Sequence, residues 1–125
     1  MIKFYNIADE LKAKGHYVQG DWKHSLNCVR FHNKGETELH FFTKCKLFHE
    51  LAKRGQTVFT ELDFKYRGVC DLYWLEENIV IELESNLTTK SKTLKEEQYS
   101  GMNLIVFDLK KQEFPEMLAK LGLTD

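Results

Sequence analysis

Apolar residues recur along this chain in two alternating rhythms. Ile7 to Lys14 (IADELKAK) has helical spacing and is stopped by Gly15. Two short strand candidates follow, His16 to Trp22 and Leu26 to His32, and Asn33-Lys34-Gly35 reads as a turn. A longer helix is predicted from about Leu39 to Arg54, ended by Gly55. Phe41, Cys45, Phe48 and Ala52 form its apolar line, widened by Leu47 and Leu51, and His40, Lys44, Lys46, Glu50 and Lys53 occupy its other side. The rhythm then changes to that of strands. Thr57 to Phe64, Gly68 to Trp74 and Asn78 to Glu84 are rich in β-branched and aromatic residues, with very short polar turns between them, which predicts a meander. A polar helix, Thr89 to Ser100, is closed by Gly101. The apolar run Asn103 to Leu109 reads as a buried strand, and a last helix runs from Phe114 to Leu121. From residue 39 onward the order is α-β-β-β-α-β-α.

With Glu76-Glu77 as a two-residue turn, Tyr73 pairs with Val80, Asp71 with Glu82 and Val69 with Glu84. Cys70, Leu72, Trp74, Ile79, Ile81 and Leu83 then share an apolar face. A three-residue turn at Lys65-Tyr66-Arg67 keeps Leu62 and Phe64 on that face and pairs Glu61 with Asp71. Glu61, Asp71 and Glu82 would lie in a row across three strands, with Glu84 two residues along. Side chains directly opposed on adjacent strands are only ~4.5–5.5 Å apart at Cβ, and like charges there repel. Two arrangements relieve this. Either the face is wetted, where screening weakens the repulsion, or a cation sits among the carboxylates. Oxygen-only ligands favour Mg²⁺, Mn²⁺ or Ca²⁺ over zinc. The polar helix can fold back over this face, bringing Lys92, Lys95, Gln98 and Tyr99, and Lys95 and Tyr99 are one turn apart.

Length and composition narrow the picture further. The 125 residues suit one domain, 1–125, with a core over 39–109, an N-terminal elaboration over 1–38 and a C-terminal helix within 110–125. Hydrophobic residues make up 42% and charged residues 30%, enough for a buried core. The formal charge of −1 provides no global field for nucleic acid, so such a partner needs a local patch. Cys28, Cys45 and Cys70 are odd in number and widely spaced, which points to free thiols and a reducing compartment. No window approaches the ~18 consecutive apolar residues of a membrane span, and the first residues lack the apolar run of a signal peptide, so a cytoplasmic protein is expected. His24, Cys28 and His32 recur every four residues, as zinc ligands on a helix would, but the residues around them look like strand and no fourth ligand is evident. There is no Gly-rich phosphate loop and no nucleophile elbow. Trp22, Tyr66 and Trp74 are candidates for stacking on bases, Trp74 being the one expected in the core.

The order α-β-β-β-α-β, with Asp71 on the second strand and Ile79-Val80-Ile81-Glu82-Leu83-Glu84 on the third, resembles the PD-(D/E)XK nuclease superfamily over about Leu39 to Leu109. The resemblance implies an α/β, restriction-endonuclease-like core, a central mixed sheet with an antiparallel meander flanked by helices. It implies a metal-dependent nuclease hydrolysing DNA phosphodiester bonds, with Mg²⁺ or Mn²⁺ held by Asp71 and Glu82. Glu61 would be an additional ligand, with Glu50 on the long helix as the alternative. The family's usual lysine position is occupied here by Glu84, and Lys95, or else Lys92, would supply the lysine from the neighbouring helix. Lys95 or Glu84 would orient the attacking water or relay its proton. Lys44, Lys90 and Lys92 would contact phosphates, and Gln98 falls near a helix glutamine of the RecB-like branch. The superfamily also contains members without catalysis, so the alternative is an inactive module that binds nucleic acid or a protein. RNA stays open as a substrate, a homodimer is expected, and no membrane partner is implied.

Overall fold

The computed structural model describes residues 4–18, 22–31 and 35–123. Four helices, α1 (Phe4–Ala13), α2 (Glu38–Ala52), α3 (Thr89–Gln98) and α4 (Phe114–Lys120), accompany strands β1 (Val58–Phe64), β2 (Gly68–Trp74), β3 (Ile79–Glu84) and β4 (Asn103–Asp108). The strands form one mixed sheet in the order β1-β2-β3-β4. The first three make an antiparallel meander, and α3 carries the chain across to β4, which runs parallel to β3. The fold is therefore α/β, as the hydrophobic pattern indicates. Among the described residues no helix is long and apolar enough to cross a membrane.

Local chemistry sets the element ends. Thr37 caps α2 by accepting the His40 N–H, and Thr88 and Ser91 form a reciprocal capping box at the start of α3. The Glu76-Glu77 turn closes with Asn78 in the left-handed region, a conformation asparagine tolerates. The β1–β2 turn places Tyr66 at φ 70°, which is unusual for a bulky side chain.

The first third departs from the sequence reading. Val18 makes only an isolated bridge to Phe64 and Leu26 only one to Phe59, and a 3₁₀ turn occupies Trp22–Ser25. These segments pack along β1 without extending into strands. Residues 19–21 of the first predicted strand, His32 of the second and Asn33-Lys34 of the predicted turn lie outside the described residues.

Both faces of the sheet are covered. On one, Leu47 and Leu51 of α2 and Met117 and Leu121 of the C-terminal segment pack on Val58, Leu72, Trp74, Ile81 and Leu83. On the other, Ile7 and Leu11 of α1 and Tyr99 pack on Phe59, Leu62, Phe64, Cys70, Tyr73 and Val80. This corrects the single apolar face expected from strict alternation, since Cys70, Leu62 and Phe64 belong to the second core. The alternation slips by one residue at Glu61 and Asp71. Glu61 has φ 53°, and the pairs Thr60↔Leu72 and Leu62↔Cys70 keep one register on either side of it. A left-handed residue inside a strand turns the following side chains to the opposite face without adding a residue. On α2 the fully buried line is Lys44, Leu47 and Leu51, and Phe41, Cys45, Phe48 and Ala52 are only half-buried.

Candidate functional site

The acidic residues gather where the ladders stop. The β2–β3 pairs run from Trp74↔Ile79 to Leu72↔Ile81, and the next residues in register, Asp71 and Glu82, are not paired through their backbones. Their side chains bridge the gap instead. The Asp71 N–H donates to Glu82 Oε2 at 2.7 Å, and the Leu83 N–H donates to Asp71 Oδ2 at 2.7 Å. The two carboxylates thus take main-chain donors at the break, which a buried sheet cannot leave unpaired.

From one side α3 reaches into this gap. Lys95 Nζ lies 2.7 Å from Glu82 Oε1 and 3.4 Å from Glu84 Oε1. One turn later the Tyr99 hydroxyl lies 3.3 Å from both Glu82 Oε1 and the Val69 carbonyl and donates to one or the other. Gln98 turns away toward the β1–β2 turn, donating to the Arg67 carbonyl at 2.8 Å, and the Arg67 guanidinium donates back to the Gln98 carbonyl at 3.3 Å.

From the other side α2 and the residue just before its cap, Glu36, supply a second set. Glu36, His40 and Lys44 are spaced four residues apart, so they line one stripe. His40 Nδ1 bonds Glu36, and its Nε2 lies 3.2 Å from Asp71 Oδ1. Lys44 Nζ lies 2.8 Å from Glu36 Oε2 and 3.3 Å from Glu61 Oε2. One chain of contacts therefore links Glu61, Lys44, Glu36, His40, Asp71, Glu82, Lys95 and Glu84.

Burial and charge set the protonation states. Burial alone would lower the His40 pKa, but Asp71 and Glu36, one on each ring nitrogen, raise it to about 9. His40 is therefore an imidazolium at neutral pH. For Asp71, burial opposes ionisation, and the His40 contacts and the Leu83 N–H outweigh it and lower its pKa. Glu82 behaves differently. Burial, then the neighbouring Asp71 charge, raise its pKa to about 7 against the pull of Lys95. Lys95 is held charged because Glu82 and Glu84 outweigh its own burial. Burial, then the Glu82 charge, push the Tyr99 hydroxyl up, so it remains a donor.

The carboxylates are thus relieved chiefly by the protein's own cations, an arrangement different from both a wetted face and a captured ion alone. Lys95 meets Glu82 and Glu84 as the helix spacing anticipated. Glu61, Asp71, Glu82 and Glu84 converge on the same end of the sheet, with Lys44 engaging Glu61. Lys44 itself requires a correction: expected on a solvated helix side facing phosphate, it is fully buried between Glu36 and Glu61. The reason is its phase, three residues after Phe41 and three before Leu47, which puts it on the apolar side. Lys90 and Lys92 are exposed on α3. Glu50 stands apart from the cluster, paired with Lys53 and Arg54, which lower its pKa. Sequence reasoning missed Glu36 as a member of the site and placed His40 only on the side of the long helix away from its apolar line. The readable signal was the Glu36/His40/Lys44 spacing ending in a cation on an apolar stripe.

Only His24 and Cys28 of the zinc candidate lie among the described residues. Cys28 donates to the His24 carbonyl at 3.0 Å in a segment that is not a continuous helix, and His32 lies outside the described residues. Trp74 is buried and donates to Gln56, whereas Tyr66 is exposed. Among the described residues no group of three or more His, Cys, Asp or Glu side chains is arranged to hold a metal ion. Comparison with protein-family models, with curated proteins and with solved structures returned no match.

Proposed function

We propose that this protein is a metal-dependent nuclease of restriction-endonuclease-like architecture, hydrolysing DNA phosphodiester bonds at the Asp71–Glu82 gap. The observation that carries this reading is the meeting of two carboxylates from adjacent strands, buried Glu82 and half-buried Asp71, beside Lys95, a lysine presented by α3. The donor set fits a hard divalent cation. Asp71 and Glu82 present only carboxylate oxygens, the ligand type that a hard divalent cation takes. Asp71 and Glu82 would hold Mg²⁺ or Mn²⁺, which when bound supplies a water of lowered pKa and neutralises charge on the phosphate.

The chain's own residues supply the remainder. His40 keeps Asp71 ionised and fixes its orientation, and Tyr99 and the Asp71 N–H orient Glu82. Lys95 Nζ, anchored on Glu82 and Glu84, has donor capacity left for a phosphate oxygen or the attacking water. Glu84 is about a quarter exposed and accepts the proton that water releases as its oxygen bonds to phosphorus and the ester P–O bond breaks. Lys90 and Lys92 lie on the same helix as Lys95 and can position the strand through its phosphates.

Incubation with supercoiled and branched DNA, with EDTA, Mg²⁺ or Mn²⁺, tests the proposal. Metal-dependent cleavage that disappears in Asp71→Asn and Glu82→Gln is expected. Cleavage indifferent to both substitutions would sink it. One observation favours a second reading, a catalytically silent module of the same fold: Asp71, Glu82 and Glu61 each already carry a protein cation. DNA binding without cleavage in any metal selects that reading. Self-association into a homodimer belongs to the proposal because one small subunit offers little surface to a duplex, and equilibrium sedimentation giving only monomer rules it out.

A further inference from the structure

We infer that the groove beside the β1–β2 turn is a binding site for an unpaired polynucleotide strand. This deepens the nuclease reading and rests on it only for the fate of the bound strand. The groove has a volume of about 540 Å³ and is lined by Lys14, Tyr17, Lys65, Tyr66, Arg67 and Gln98, among others.

Its two tyrosines are presented to solvent. Tyr66 is 89% exposed and Tyr17 70% exposed. They come from segments far apart in sequence and are brought together by one main-chain contact, the Lys65 N–H donating to the Tyr17 carbonyl at 2.6 Å, beside the Val18–Phe64 bridge. Tyr66 holds a left-handed backbone at the turn, where glycine or asparagine would cost less. A large ring at that position, with its surface in water, gives the turn no evident packing benefit.

Cations surround the rings. Lys65 Nζ lies 5.2 Å from the Tyr66 ring centre. Neither Lys65 nor Arg67 has a carboxylate partner among the described residues, and the Arg67 guanidinium donates to the Gln98 carbonyl. Lys14 adds a third positive charge, 3.8 Å from Glu10, and Glu97 is the acid on the rim. Exposed aromatic rings beside two cations without carboxylate partners, Lys65 and Arg67, match the chemistry of unpaired nucleotides, whose bases offer faces for stacking and whose phosphates offer charge. A duplex hides its base faces and cannot use the rings.

The groove is also linked to the acidic gap. Gln98, on its wall, donates to the Tyr99 hydroxyl at 3.3 Å, and that hydroxyl lies 3.3 Å from Glu82. Gln98 on the groove wall is therefore two hydrogen-bond steps from Glu82.

The test measures binding of fluorescein-labelled oligothymidylate of about ten nucleotides by anisotropy in EDTA, so that cleavage plays no part. Tyr17→Ala and Tyr66→Ala are each expected to weaken binding roughly tenfold, and Tyr66→Phe to preserve it, because the ring and not the hydroxyl stacks. The double variant Lys65→Glu/Arg67→Glu is expected to weaken binding further and to flatten its salt dependence. Unchanged binding in the ring variants, or tighter binding of a blunt duplex by the wild type, overturns the proposal. An oligouridylate arm separates the two sugars: ring-dependent binding of either strand supports the site and identifies its preferred sugar. Asp71→Asn is the control for the other reading. Ring-dependent binding without metal-dependent cleavage keeps the groove and removes the nuclease. Cleavage with KM unaltered in the ring variants keeps the nuclease and removes the groove.

Discussion

Lys44 and Lys95 both sit on carboxylates at the same end of the sheet, but they differ in their access to water. The Lys44 side chain is fully buried, held by Glu36 and Glu61, and its approach from solvent is closed by α2 and the strands. The Lys95 side chain is 25% exposed and lies against Glu84, itself 26% exposed. Identical ion-pair chemistry has a different consequence in each setting. A sealed pair fixes structure, because removing one partner leaves an uncompensated charge that water cannot reach. A half-open pair can exchange partners with a ligand, because solvent and phosphate reach the same ammonium.

The sharpest way to break this comparison is to remove each lysine in turn. Lys44→Ala is expected to cost about 3–5 kcal/mol of stability, read from the urea midpoint with unchanged slope. Lys95→Ala should cost only about 1 kcal/mol, because Glu82 can take a proton near neutral pH once its cation is gone. The order reverses for metal-dependent cleavage, where Lys95→Ala should lower the rate by a factor on the order of 10²–10⁴. Equal stability losses for the two variants would show that access to water does not separate them.

The pH dependence of stability sharpens the same contrast at the level of single groups. His40 is raised from 6.5 to about 9, and Glu82 from 4.5 to about 7. Each binds its proton more tightly folded than unfolded, so each contributes stability that is complete below its unfolded pKa and lost as pH rises through its folded pKa. Asp71 has the opposite sign, and its effect is confined to acid below its usual range. In EDTA, stability should therefore fall between about pH 5 and pH 9. Glu82→Gln should flatten the lower half of that decline and His40→Gln the upper half. A flat profile in the wild type would mean that the cluster is ionised independently of folding.

Much of the fold was legible because hydrophobic rhythm reports what each backbone can bury. β2 begins and ends where the β-branched and aromatic run does, and both turns of the meander fall where the polar residues placed them. The convergence of Asp71 and Glu82 followed from register alone, and Lys95 from helix spacing. What failed shares one physical reason. Sequence periodicity assumes a regular backbone, and the site is where regularity breaks. Glu61 turns left-handed, and beyond it Leu62 and Phe64, with Cys70 opposite Leu62 on β2, belong to the other core, an event no period-two count registers. Lys44 was misjudged, and its partner Glu36 overlooked, because charge was equated with exposure, whereas a lysine on an apolar stripe signals a buried partner. Val18 and Leu26 read as strands because their composition suits one, yet each finds only a single bridge on β1.

The smallest expected effect bears on the other exposed chemistry, the β1–β2 turn. In the acidic gap, unusual backbone geometry comes with buried partners: Glu61 is nearly sealed and meets Lys44. At Tyr66 the same left-handed geometry comes with an exposed ring. Tyr66→Gly should remove a left-handed penalty of about 1 kcal/mol and lose part of that gain to the greater freedom of the unfolded chain. A net stabilisation of about 0.5 kcal/mol is expected, read from urea melts of the two proteins side by side. The same change takes away the ring, so stability should rise slightly as oligothymidylate binding falls. A residue whose removal steadies the fold and empties a binding groove is kept for the ligand, since the turn alone would favour glycine. Were Tyr66→Gly instead to destabilise the protein by more than about 1 kcal/mol, the ring would be holding the turn, and its exposure would carry no message about a bound strand.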